Sequence, residues 1–105
     1  MASRLQKLKR NAFLEQKGRC WYCDRQMLLC PETSSLQCTA EHLVARSQGG
    51  KDTPDNIVAA CRYCNQTRHR RRMPPSPGDF RRIVRERLDK GRWHVRAAVQ
   101  KCVPQ

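Results

Sequence analysis

Two cysteine pairs of one form, Cys20-Trp21-Tyr22-Cys23 and Cys61-Arg62-Tyr63-Cys64, constrain this chain more than any other feature. A Cys-x2-Cys step presents two sulfurs from one backbone turn, and two such turns complete the tetrahedral four-thiolate shell that Zn²⁺ prefers. Any fold that uses Cys20, Cys23, Cys61 and Cys64 this way must bring residues 20–23 and 61–64 together. Between the pairs lie Glu41-His42, Gly49-Gly50 and Asp55-Asn56; Asn65 follows the second pair, and His69 lies four residues further on. Carboxylate, amide and imidazole groups are the donors that hold a harder divalent ion and draw a proton from water.

The chain has 105 residues, which is read as a single domain, 1–105. With 38% hydrophobic and 30% charged residues its core must be thin, so a metal staple is expected to carry part of the folding free energy. The seven cysteines are an odd number for a disulfide framework. No apolar export segment is visible near the N-terminus, and the longest apolar run, 57–61, is too short to span a membrane. The thiols are therefore read as reduced and metal-bound, in a cytoplasmic setting. Cys30, Cys38 and Cys102 are left over. They are read as buried or idle thiols, with a second metal site or a replaced knuckle ligand as the alternative.

A formal net charge of +13 is a polyanion-binding balance for so small a chain. Arginines cluster late, at Arg68, Arg70, Arg71 and Arg72 and again at Arg81, Arg82 and Arg85. Beside a metal site with a candidate base, nucleic acid is favoured over a membrane surface, because the apolar stripes are needed for the core.

The pattern predicts a helix over 3–17, with Ser3 as N-cap, Leu5, Leu8 and Ala12 on one face, and Gly18 closing it. A short strand is expected at 25–30 after the first knuckle, then a turn. An extended segment over 36–45 carries Glu41 and His42, and a returning strand covers 56–60. The second knuckle opens a helix over 63–72, stopped by Pro74 and Pro75. Ser76-Pro77-Gly78-Asp79 starts a basic helix over 77–90, with Phe80, Ile83, Val84 and Leu88 on its apolar face. Trp21 and Tyr63 are read as packing inside the knuckles rather than stacking on bases. Trp93 is read as core, with Val95 beside it in a short strand.

Strand, loop, strand and helix, with a histidine ending the first strand and donors on the helix, make a ββα-metal arrangement. The run from Cys20-x2-Cys23 through Glu41-His42, Gly49-Gly50 and Asn56 to Cys61-x2-Cys64-Asn65 resembles the HNH endonuclease family over about 20–72. The resemblance implies an α+β fold: a small zinc-stapled ββα-metal domain with flanking N- and C-terminal helices. It implies that Glu41 is a metal ligand, His42 the general base, and Asn56 the residue that braces the loop and orients the histidine strand. Asn65 matches the last position of the motif, where asparagine is a recurrent variant, and His69 matches a metal-binding histidine of the colicin-type nucleases. Two departures bear on the metal. Glu replaces the commoner Asp, and the Asn65 amide oxygen favours Mg²⁺ or Mn²⁺, with Ni²⁺ or Zn²⁺ tolerable if His69 also binds.

The implied activity is metal-dependent cleavage of DNA phosphodiester bonds, with RNA left open. Arg46 or Arg68 is expected to clamp the phosphate. The competing reading is a zinc-stabilised nucleic-acid-binding module without catalysis.

Overall fold

The computed structural model describes residues 3–29 and 34–93, so Cys30, Val95 and Cys102 lie outside the described residues. The order of elements is helix α1 (Arg4–Glu15), strand β1 (Cys38–His42), a 3₁₀ turn (Arg46–Gln48), strand β2 (Ile57–Cys61), helix α2 (Arg62–His69) and helix α3 (Pro77–Asp89). This is a small α+β fold with the ββα unit at its centre.

Each helix begins and ends on local chemistry. The Ser3 hydroxyl accepts from the Gln6 amide at 3.1 Å while the Gln6 side chain accepts from the Ser3 amide at 3.3 Å, a complete capping box. α1 stops two residues before the expected end because Lys17 and Gly18 both turn left-handed. The Gly18 amide then returns to the Phe13 carbonyl and the Lys17 amide to Leu14, which satisfies the last carbonyls of the helix. α3 closes by the same device, with Gly91 at φ +67° and the Arg92 amide on the Arg87 carbonyl. Ser76 caps its start through the Asp79 amide, and Pro77 fills the position where no N–H is needed.

β1 and β2 pair antiparallel in the register Cys38↔Cys61 to His42↔Ile57. The expected strand at 25–30 is reduced to isolated bridges, Arg19↔Gln26 and Leu28↔Gln37. The backbone there closes the knuckle turn instead, with Cys20 bonded to Arg25 and Met27 to Gly18, so no continuous ladder forms. α2 also ends short of the expected position 72. The Arg68 guanidinium donates through Nε to the Pro75 carbonyl at 2.8 Å, and this draws residues 70–75 across the helix end, where two prolines already bar its continuation.

The core is unusual in composition: Cys20, Cys23, Cys38, Cys61 and Cys64 sit among Tyr22, Met27, Ala59, Ala60, Phe80, Val84 and Trp93. Phe80 is its aromatic hub, edge-on to Tyr22 at 5.2 Å and to Trp93 at 5.8 Å. Trp93 also meets Tyr63 at 5.4 Å, so it is buried as expected, though by ring packing against helices. Phe80 thus joins α3 to the first knuckle. We expect Phe80→Ala to lower stability by about 3–5 kcal/mol, read as a shift in the urea midpoint of zinc-loaded protein. A midpoint equal to wild type would mean that α3 is not part of the cooperative core.

Candidate functional site

The sulfurs of Cys20, Cys23, Cys61 and Cys64 all lie within 4.8 Å of one another, and all four residues are buried. Cys23 Sγ and Cys61 Sγ are 3.8 Å apart. That is far too long for a disulfide, but it matches the edge of a tetrahedron of Zn–S bonds, about 3.8 Å for bonds of roughly 2.3 Å. The surrounding backbone is arranged for negative sulfur: the Tyr22 and Cys61 amides donate to Cys20 Sγ, and the Cys64 amide donates to Cys61 Sγ. The Cys61 thiol therefore also serves as the N-cap of α2. Crowding separates the thiol pKa values. Hydrogen bonding from Cys23, Cys61 and Cys64 holds Cys20 down, while bonding to Cys20 and Cys23 pushes Cys61 and Cys64 up. A divalent cation removes that conflict by stabilising several thiolates together. The donor set fits a structural metal such as Zn²⁺. Cys38 lies outside this cluster, and burial raises its pKa to about 11, which leaves it an inert packed thiol.

A second cluster forms where β1 faces α2. Strand alternation puts Thr39 and Glu41 on the α2 side, and helical spacing puts Asn65 and His69 on one face opposite them. Glu41 is 4% exposed. Its Oε1 is 3.1 Å from His69 Nε2, and its Oε2 accepts from the Tyr22 hydroxyl at 3.0 Å, with Arg68 Nη1 at 3.5 Å. A buried carboxylate needs such partners, since an isolated one would be heavily penalised. The Asn65 amide nitrogen donates to Thr39 Oγ1 at 3.0 Å and to the Ala40 carbonyl at 3.3 Å. Burial, followed by the charge of Glu41, keeps the Tyr22 phenol protonated well above its ordinary range.

His42 projects from the other side of β1. Its Nε2 is 2.8 Å from Asp52 Oδ1, and among the described residues nothing bonds it to the Glu41 cluster. Arg46 grips the same carboxylate, Nη2 to Oδ2 at 2.8 Å and Nε to Oδ1 at 3.2 Å. These contacts, the His42 hydrogen bond first, hold the Asp52 pKa below the usual carboxylate value. Asn56 ties the two ends of the intervening loop: its side chain accepts from the Val44 amide at 2.8 Å and donates to the Val44 and Lys51 carbonyls. Gly49 takes φ +89°, and a Cβ on Gly50 would collide with the Val44 carbonyl, so the glycine pair lets the loop fold back this tightly.

The arginines are less free than their sequence suggests. Arg46 is bound to Asp52 and Arg68 to Glu41 and Pro75. Arg81 stacks over Trp21 at 4.5 Å, Arg85 donates to the Trp21 and Tyr22 carbonyls, Arg82 pairs with Asp79, and Arg71 lies over Phe80 at 5.5 Å. Arg70 and Arg72 have no acidic partner among the described residues. Arg70 joins Arg62, Ser35, Tyr63, Gln66 and Thr67 around a polar cavity of about 210 Å³ on another face of α2. Sequence reasoning missed Tyr22 and Asp52. A tyrosine between two ligand cysteines and an acid just past a Gly-Gly turn are the only signals that pointed to them.

The sequence model of the HNH endonuclease family matches residues 20–71, the stretch that holds both clusters. No curated protein and no solved structure matches the chain. Among the described residues no helix is long and apolar enough to cross a membrane.

For the thiol centre the expected composition is about one tightly held Zn²⁺ per chain, by elemental analysis of purified protein. Cys61→Ser should cut the melting temperature sharply, because it removes a thiolate ligand even though a serine hydroxyl can still cap α2. Folded protein without metal, or a Cys61→Ser variant that melts like wild type, would refute a structural role.

Proposed function

The chain belongs to the HNH endonuclease family, and from that premise we propose that it hydrolyses DNA phosphodiester bonds with one catalytic divalent metal and His42 as general base. The observation that carries this reading is the meeting of Glu41 and His69 at 3.1 Å, one residue along β1 from an imidazole held by its own carboxylate. Family membership brings a nuclease-type function and a nucleic-acid substrate. The choice of DNA, the base and the ligand roles are our proposal, as is treatment of 1–105 as one nuclease domain braced by α3.

Glu41, Asn65 and His69 would hold the metal. Carboxylate and amide oxygens suit Mg²⁺ or Mn²⁺, and the imidazole extends the range to Ni²⁺ or Zn²⁺. When bound, the cation stabilises charge on the phosphodiester and on the leaving 3′-oxygen. His42 removes a proton from water, the hydroxide bonds to phosphorus, the bond from phosphorus to the 3′-oxygen breaks, and the leaving oxygen takes a proton from solvent water to become the 3′-hydroxyl. Asn56 braces the loop beneath this histidine, so its role is orientation. In this reading Arg70 and Arg72 would neutralise phosphates of the bound strand, and Arg46, Arg81, Arg82 and Arg85 would add to that charge while also holding protein groups.

One observation favours a binding module without catalysis: the Arg68 guanidinium already lies against the carboxylate that would take the metal. Plasmid nicking with and without Mg²⁺ or Mn²⁺ separates the two readings. In that assay His42→Ala should cut about 10²–10⁴-fold more slowly with DNA affinity retained. Glu41→Ala should need more metal for the same rate. Wild-type cleavage by His42→Ala at equal metal would remove the histidine from the mechanism.

Binding should be electrostatic and sequence-tolerant. For duplex DNA the slope of log K against log salt should gain roughly −0.9 per phosphate contact, and Arg70→Ala or Arg72→Ala should reduce its magnitude by about one contact each. A slope near zero would reject this interface.

A further inference from the structure

We propose that Asp52 is the positioning residue of the cleavage reaction: it fixes the His42 imidazole as the Nε2–H tautomer and so presents Nδ1 as the basic nitrogen. The inference rests on the reading of His42 as the base and goes beyond it, because the family's acid-His, Asn and Asn positions do not include Asp52.

A general base needs one ring nitrogen unprotonated and aimed at water. In neutral imidazole the two nitrogens have opposite roles, and the partner of one decides the state of the other. Asp52 Oδ1 lies 2.8 Å from Nε2. An ionised carboxylate only accepts hydrogen bonds, so the proton of neutral His42 must sit on Nε2. Two further contacts keep the carboxylate ionised and in plane. Arg46 forks onto both of its oxygens, at 3.2 and 2.8 Å, a geometry that resists rotation about the side chain.

The backbone of Asp52 is pinned as well. Its carbonyl accepts from Arg4 Nε at 2.9 Å, which ties the loop to the first turn of α1. On either side, the Lys51 carbonyl accepts from Asn56 and from the Thr53 amide. The imidazole therefore leans on a carboxylate with little freedom of its own. His42 has 18% of its side chain exposed and Asp52 27%, so the pair is not sealed from water.

A purely structural Asp52, serving only to staple the loop through Arg46, is the rival explanation. The two differ in what Asp52→Asn does. An amide can present N–H to Nε2, and the ring then takes the Nδ1–H form with its lone pair on the nitrogen that faces position 52. The Arg46 Nε contact is lost, while the Arg46 Nη2 contact to the remaining oxygen and the backbone contacts of the loop can persist.

The experiment uses the full zinc-loaded chain. Long-range ¹H–¹⁵N NMR over a pH series, with the neutral form recognised from the ¹⁵N shifts themselves, reads the His42 tautomer in wild type and Asp52→Asn. Plasmid cleavage gives kcat and KM, and a melting curve reports the fold. We expect Nε2–H in wild type, a swing toward Nδ1–H in Asp52→Asn, and a kcat lower by about 10–100-fold with KM and melting temperature nearly unchanged. Asp52→Glu should recover part of the rate.

If Asp52→Asn does not fold, the wild-type spectrum decides: Nδ1–H as the main form overturns the proposal. So does a variant with wild-type kcat, or one whose loss of rate follows its loss of melting temperature with no change of tautomer. Failure of the base reading looks different, since it would show as normal cleavage by His42→Ala. With the base reading intact, Asp52→Asn added to His42→Ala should slow cleavage no further.

Discussion

Everything in this fold depends on four sulfurs being forced to one point. Cys20 and Cys23 come from the turn after α1, and Cys61 and Cys64 from the junction of β2 and α2. Their meeting closes the chain over a loop of about forty residues, and that loop contains β1 and the histidine turn. Closing a loop of this length costs conformational entropy, and a thin core supplies little to offset it. A metal bound only by the closed form does supply it. The cysteines then count twice, as donors and as buried apolar volume between Tyr22, Phe80 and Trp93.

With the knuckles fixed, the rest is arranged by short-range geometry. β2 delivers Cys61 directly into α2, so strand and helix meet at the thiol cluster. The angle between them decides which face of α2 meets Glu41, and the i, i+4 spacing of Asn65 and His69 does the remainder. α3 acts as a brace from outside. Phe80 enters the core, Arg81 covers Trp21, and Arg85 takes the knuckle carbonyls.

What was readable from the sequence was whatever has a local signature. Ser3 and Ser76 announce their helices, Pro74 and Pro75 bar one, and the Cys-x2-Cys spacing announces its metal whatever the distance between the pairs. The ββα arrangement was readable for the same reason. Pairings across the chain were not. Tyr22 meets Glu41 from 19 residues away and Asp52 meets His42 from 10, and neither distance is a period of helix or strand. The basic runs also have a use inside the fold that sequence does not show. Arginine reads as a solvent-facing charge, but its long stem and planar head also suit it to aromatic faces and buried carbonyls. Arg81 and Arg85 use it so, and a linear sequence does not show where Trp21 will lie.

Tyr22 stands between two cysteines of the thiol cluster and holds Glu41 of the other cluster. Its backbone amide donates to Cys20 Sγ, its hydroxyl to Glu41, and its ring is wholly buried against Phe80. It works as a rigid strut. The phenol ring spans the distance from the knuckle to the carboxylate with no flexible side chain between them. The thiol cluster and the Glu41 cluster differ in chemistry but share one mechanical frame, because a single buried residue is bonded to both.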